Sequence, residues 1–359
     1  MDRRAFLASA AGACFAESLP AVKQYRRSGM IYRQLGQTDL YVSLLAFGSH
    51  TDPRYKVKVA DHNILNPEGQ QRRDRLISRA LDLGVNMIDT YESEGQWEPV
   101  ARVVRGRRDK TLISVCRQFP IFVGEDIDRA VKLYGHVDLY RIYVGGSDKL
   151  TDANLADWDM LRRAKEAGKV RAIGISTHSE PIMLDALRQL EGIDYLMFPY
   201  NFIHARADYS QFLPAAAKRG VGLIAIKPLA AGSIVKLDPG AKGNGTRPEN
   251  AMVQLYQEKY RPLPPAVVAE LTKTLDRLPG ESLCQAALRF IYSRPFMTCA
   301  MPGMFEESTL TDNYAGLTRY LELSFDERAA LNAAGQIAKA TRRAWLPAHY
   351  RWLDERWHS

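Results

Sequence analysis

From residue 30 onward the chain alternates short apolar runs with longer amphipathic stretches, and it does so eight times. The apolar runs cover residues 43–47, 86–89, 111–115, 138–143, 170–175, 195–199, 221–226 and 297–301. Helical periodicity covers 71–83, 98–107, 125–133, 151–167, 181–190, 211–219, 282–293 and 307–317. Strands joined through helices run parallel, whereas strands joined by tight turns run antiparallel. Eight such repeats predict an α/β chain folded as a closed (β/α)8 barrel of the TIM type. In such a barrel, ligand-handling groups stand at the C-terminal ends of the strands.

The spacing predicts departures from a bare barrel. Residues 30–35 and 40–42 flank Gly36-Gln-Thr-Asp39, a turn-rich loop that reads as an N-terminal β-hairpin over the barrel bottom. Residues 51–70 read as a long loop after strand 1. Residues 231–280, rich in Pro and Gly, read as a longer one after strand 7. Both leave from the face where the site is expected. Residues 28–359 are expected to form one domain ending in a helical tail over 325–359. That tail carries Arg342-Arg-Ala-Trp345 and His349-Tyr-Arg-Trp352, groups that suit either a cover over the barrel mouth or an oligomer contact.

Charge and cysteine usage exclude several classes. Of the net +8, residues 1–27 hold five basic and two acidic residues, which leaves a modest excess without a dense basic block. No nucleic-acid partner is expected, while small anionic ligands stay open. Cys14, Cys116, Cys284 and Cys299 form no CxxC pair and no metal-ligand spacing with histidine, so neither a disulfide framework nor a metal site is expected.

Residues 1–27 read as an export signal and linker. Arg3-Arg4-x-Phe6-Leu7 resembles the twin-arginine consensus, and a weakly apolar, small-residue run follows it, too short to span a bilayer. The twin-arginine export machinery is therefore an expected partner, and the periplasm the expected location. A folded passenger of that route can carry a bound cofactor with it. No membrane span is expected in the mature chain.

Several motifs carry a more specific resemblance. Ile31-Tyr-Arg-Gln-Leu-Gly36, Asn86-Met-Ile-Asp-Thr90, Asp138-Leu-Tyr140, Gly168-Lys-Val-Arg-Ala-Ile-Gly-Ile-Ser176, Tyr200-Asn201 and Pro302-Gly303 stand in the order found in aldo-keto reductases. The chain resembles that family from about residue 30 to 320. The resemblance implies a nicotinamide-linked oxidoreductase in which Tyr protonates the substrate oxygen, Lys lowers the Tyr pKa, Asp holds the Lys and His orients the substrate. On that resemblance the four positions fall on Glu94, Cys116, Asp89 and Tyr143, so only the Asp is kept. The expected catalytic set is Asp89, Glu94, Cys116 and Tyr143, with Tyr91, Arg117 or Lys227 as further sources of a proton or positive charge. Without the Lys, two carboxylates would repel each other and nothing cationic would remain to steady a developing alkoxide.

The resemblance also implies that Ser176, Thr177, Lys227, Leu229, Gly232, Gly303 and Asn313 hold NAD or NADP. Glu306 and Glu307 stand where a 2′-phosphate is usually met, which favours NAD. His178 and Trp97 read either as pocket groups or as satisfied packing residues. The function expected is an exported oxidoreductase acting on a small polar carbonyl or alcohol through a non-standard site. Two alternatives stay open: an inactive barrel that binds a small ligand or a partner protein, and a non-redox lyase or epimerase using Asp89 and Glu94.

Overall fold

The computed structural model describes residues 19–59, 62–91, 95–116, 123–145, 148–232, 234, 263–275, 280–317 and 321–338. Residues 1–18 of the expected export signal and linker, Glu94 and Arg117, most of the insertion over 231–280 and the tail beyond 338 lie outside these residues, whereas Gln24–Arg27 of that expected linker form a strand.

Seven parallel strands form one sheet in the order β12-β11-β10-β9-β8-β7-β6: β6 (Met87–Asp89), β7 (Leu112–Cys116), β8 (Val137–Tyr143), β9 (Val170–Ser176), β10 (Tyr195–Pro199), β11 (Gly222–Ile226) and β12 (Cys299–Met301). The sheet curls until its edges meet a common segment. Leu45 bridges Ala300 of β12, and Phe47 bridges Ile88 of β6. Residues 44–48 therefore occupy the eighth staves' place, although only as alternating bridges and not as the regular strand expected over 43–47. The physical reason is local. Ser43 Oγ donates to Leu45 O, and the Asn86 side chain accepts from Ser43 N while donating to Tyr41 O, so side chains occupy groups a ladder would use. Gly48 completes the closure: a Cβ there would stand 2.5 Å from Pro302 O.

Ahead of the barrel, β1 (Gln24–Arg27), β2 (Met30–Gln34) and β3 (Tyr41–Ser43) form an antiparallel sheet. Leu35, Leu40 and Val42 pack inside the barrel with Met87, Leu112, Leu139 and Ile224. Arg33 ties this sheet to the loop before β12, donating to the carbonyls of Tyr292, Arg294 and Met297 at 2.8–2.9 Å.

Segment 51–70, expected as loop, instead forms a second antiparallel hairpin, β4 (Lys56–Val59) and β5 (His62–Leu65), and then enters the first helix. Helix α1 (Pro67–Asp82) starts early because Asn66 caps it through Gly69 N and Pro67 suits the first turn. Among the described residues six further helices follow the expected periodicity: α2 (Trp97–Val104), α3 (Val123–Tyr134), α4 (Asp152–Glu166), α5 (Glu180–Gln189), α6 (Phe212–Lys218) and, after an unexpected α7 (Pro265–Thr274), α8 (Leu283–Tyr292); α9 (Glu307–Ala315) falls where a helix was expected and α10 (Phe325–Ala338) opens the expected tail. A Thr151–Asn154 capping box begins α4, and Ser282 caps α8. Helix α7 gives the insertion after strand 7 regular structure of its own. Among the described residues no helix is long and apolar enough to cross a membrane.

Two apolar clusters divide the core. Outward residues such as Ile88, Ile113, Val115, Tyr140, Ile142, Ile173 and Phe198 pack with the helices. Inward residues such as Met87, Leu112, Leu139, Tyr195, Met197 and Cys299 fill the barrel. Strand alternation extends the inward row of β8 from Leu139 through Arg141 to Tyr143, and that of β6 from Met87 to Asp89.

Candidate active site

At the C-terminal ends of β6, β7 and β8 a charged network lies inside the barrel. Asp89, 1% exposed, accepts from Arg141 Nη1 at 2.6 Å on Oδ1 and from Arg141 Nη2 at 3.1 Å on Oδ2. Ser114 Oγ donates to Asp89 Oδ1 at 2.8 Å and lies 2.8 Å from Arg141 Nη1. Burial works against the guanidinium's charge, but Asp89 outweighs it and the Arg141 pKa is raised. The bidentate geometry is the strong form of this interaction. The expectation that nothing cationic stands near Asp89 is therefore corrected, because Arg141 supplies the charge from the neighbouring region of the barrel wall.

Cys116 ends β7 in register with Arg141 and is fully buried. Burial pushes its thiol up to about 11, with Arg141 opposing the rise, so it stands there as a neutral group. Tyr143 ends β8, half-buried, its ring edge-on to His178 with centroids 5.9 Å apart. Asp89, Cys116 and Tyr143 thus share the strand ends, while Glu94 lies outside the described residues.

Gly174 of β9 sits in register between Arg141 and Tyr195. A Cβ there would come within 2.8 Å of the Tyr195 ring, so glycine is what lets that ring lie across the interior. Burial holds the Tyr195 phenol protonated, well above its usual range, and it lies within electrostatic reach of Arg141, Cys116 and Asp89.

Above this layer, Tyr91 rises from a fixed base. Thr90 N and Thr90 Oγ1 both donate to Ser114 O, and Trp97 Nε1 donates to Thr90 O. Trp97 is 1% exposed, so it is a packing residue under the site. The Tyr91 ring, 38% exposed, has Arg141 Cζ 5.8 Å from its centroid and the His50 ring 6.4 Å away.

The residues expected to hold a nucleotide line the ends of β9, β11 and β12. Ser176 is buried, and Thr177 Oγ1 accepts from Ser179 N in the turn into α5. Lys227 has φ +50°, a costly conformation for a residue with a Cβ, and Asn201 Nδ2 donates to its carbonyl at 2.9 Å. Desolvation lowers the Lys227 ammonium to about 8. Leu229 O accepts from Gly232 N, and Gly232 takes φ +87°. Gly303 follows β12 beside Phe305, and Asn313 of α9, 1% exposed, has no hydrogen-bond partner for Nδ2 among the described residues. Glu306 is paired with Arg54 at 2.5 Å, Arg54 also holds Asp52, and Glu307 lies 3.9 Å from Arg79. The two acids are therefore not a bare negative patch.

Arg141, Ser114, Tyr195 and Arg54 were missed in the sequence. A signal existed for the first: an arginine on the inward row of a strand flanked by apolar residues.

A sequence model described as "Aldo/keto reductase family" matches residues 126–335, more than half of the chain. The chain belongs to the aldo/keto reductase family. Within that family, L-glyceraldehyde 3-phosphate reductase of Escherichia coli (strain K12) is 23% identical over 354 residues, covering 89% of this chain and 96% of its own. The apo form of aldo-keto reductase AKR11C1 from Bacillus halodurans superposes with a TM-score of 0.63 at 20% identity, over 89% of this chain and 99% of that one. A Klebsiella pneumoniae aldo/keto reductase in complex with NADP and acetate superposes with a TM-score of 0.59 at 17% identity, over 86% of this chain and 95% of that one. These likenesses establish the family's barrel for this chain, and the Asp89–Arg141 network stands at its strand ends.

Proposed function

We propose that the chain is a nicotinamide-linked oxidoreductase acting on a small polar carbonyl or alcohol through a rearranged site. The observation that carries this is the buried Asp89–Arg141 pair, which restores fixed positive charge where an alkoxide would develop. The family position of Lys is Cys116, that of Tyr is Glu94 and that of His is Tyr143, while Asp89 is retained with a new cation.

The residues present fit a dinucleotide. Asn313 offers a buried amide donor without a partner among the described residues, Gly232 makes a tight turn beside Leu229, and Lys227 offers an ammonium. Lys227 and Gly232 would meet a pyrophosphate, Gly303 and Asn313 an adenosine, and Ser176 and Thr177 a carboxamide. A bound nicotinamide would supply or accept the hydride. Arg141 would stabilise negative charge on the substrate oxygen, and Asp89 would keep Arg141 in place. A glyceraldehyde-like substrate is suggested by the name of the Escherichia coli relative. Asp89 held in the ion pair is poorly suited to act as a base in a lyase or epimerase. A ligand-binding barrel without catalysis is the second reading, favoured by the neutral thiol of Cys116.

NAD is the proposed partner because the loop after β12 remains acidic overall: Arg54 is shared between Asp52 and Glu306. Export through the twin-arginine machinery to the periplasm belongs to the same proposal and rests on Arg3-Arg4-x-Phe6-Leu7. A reporter fused to residues 1–30 should stay in the cytoplasm when Arg3 and Arg4 become Lys, and continued export would remove that part. The test of the activity is titration with NADH and NADPH by fluorescence, followed by turnover of DL-glyceraldehyde and glyceraldehyde 3-phosphate. Saturable binding with turnover of either aldehyde supports the oxidoreductase. Binding of neither nucleotide at millimolar concentration would overturn it in favour of the ligand-binding barrel.

A further inference from the structure

We propose that Tyr91 is the proton donor of this site and that the Asp89–Arg141 pair positions it. The inference rests on the oxidoreductase reading above and assigns the acid that the reaction requires.

A carbonyl that takes up hydride at carbon needs a proton at oxygen, from a group that reaches both the substrate and solvent. The protonated groups around the network differ in this respect. The Tyr195 phenol is fully buried behind Gly174, so solvent cannot restore its proton. The Cys116 thiol is likewise fully buried. Asp89 is buried and bound on both oxygens by Arg141. Tyr143 reaches the mouth, but its ring packs against His178, one strand further round the wall.

Tyr91 combines what the others lack. Its ring is exposed at the mouth, with the exposed His50 beside it, and touches the buried guanidinium on its inner side. Its backbone is fixed by the two Thr90 hydrogen bonds to Ser114 O, and Ser114 itself binds Asp89 and Arg141. One connected unit therefore sets the carboxylate, the cation and the phenol. Asp89 orients Arg141, and Arg141 stabilises both the Tyr91 ring, through its π face, and negative charge left on its oxygen.

The step balances. A bound reduced nicotinamide would supply the hydride for the new C–H bond; as the carbonyl π pair becomes an oxygen lone pair, Tyr91 would pass its O–H proton to that oxygen. The products would be an alcohol, the oxidised form of the cofactor and a Tyr91 phenolate, which solvent would reprotonate at the mouth.

The experiment is steady-state reduction of DL-glyceraldehyde by the wild type, Tyr91→Phe and Tyr143→Phe, with nucleotide affinity measured separately by fluorescence. Tyr91→Phe is expected to lower kcat about 100-fold or more, the usual contribution of a positioned acid. Its nucleotide Kd and thermal midpoint should match the wild type. Since Arg141→Met leaves Asp89 unpaired and can fail to fold, Arg141→Lys is the companion. Retaining the charge, it should keep part of kcat, and adding Tyr91→Phe to it should cost less than in the wild type because the two residues act as a unit. Tyr91→Phe with kcat within about threefold of the wild type would overturn the assignment while leaving the oxidoreductase standing. So would a large loss in Tyr143→Phe alone. Wild type that binds nucleotide and reduces no aldehyde would overturn the oxidoreductase and this inference together.

Discussion

Arg141 is the residue on which the proposed site turns, and its worth is set by what it would leave behind. Removing it strands Asp89 as an uncompensated charge inside the barrel, whereas removing both partners restores an apolar interior. Arg141→Met should destabilise the fold by about 3–5 kcal/mol in urea unfolding. Arg141→Met combined with Asp89→Leu should recover much of that loss. Equal loss in the double variant would mean that the pair matters through packing alone.

Lys227 gives a second residue-scale test, with a definite sign. Its ammonium is lowered on folding from the ordinary 10.5 to about 8, so between those values the unfolded chain holds the extra proton. This group's burden on stability is therefore present below about pH 8 and eases as pH rises toward 10.5. Nucleotide binding should run the other way, because the protonated form attracts phosphate. Affinity should fall several-fold, up to about tenfold, between pH 7 and 9 in fluorescence titrations. Lys227→Met should flatten that dependence, and an unchanged slope would take Lys227 away from the phosphates.

At the scale of elements, barrel closure depends on a segment with few ladder bonds. Residues 44–48 bridge three-residue edges on both sides, and Gly48 meets the Pro302 carbonyl so closely that any side chain must push the seam apart. Gly48→Ala should cost about 1–3 kcal/mol, the usual range for overpacking. Loss below 0.5 kcal/mol, within the spread of ordinary surface changes, would show that the seam is loose. Arg54→Ala, across the exposed hairpin clasp, should cost at most about 1 kcal/mol but should widen the proposed preference for NADH over NADPH by freeing Glu306 and Asp52. A shift toward NADPH would mean that the clasp does not face the nucleotide.

For the molecule as a whole, the barrel was legible because each element carries its own period and caps. Thr151, Ser282 and Asn66 mark helix starts, and the alternation of β8 marks which residues face inward. The hairpin at Lys56–Val59 was not, since Lys-Val-Lys-Val has a strand period but lies exposed, without the one-sided burial that usually reveals a strand. Asp89 was legible as a strand-end residue, and it does end β6. Its partner was not, because Arg141 and Asp89 are 52 residues apart and meet only when β6, β7 and β8 are laid side by side. The expected pattern put its site residue at the end of β7, while the cation paired with Asp89 stands within β8.

The most direct test of a hydride-transferring barrel is to follow the hydrogen itself. Purified protein is incubated with DL-glyceraldehyde and reduced nicotinamide nucleotide deuterated at the transferring position, and the glycerol formed is weighed by mass spectrometry. Direct transfer through the proposed site predicts glycerol carrying a single deuterium, in amount equal to the nucleotide oxidised. Saturable nucleotide binding with no deuterium in any product would contradict it and leave a barrel that binds without reducing.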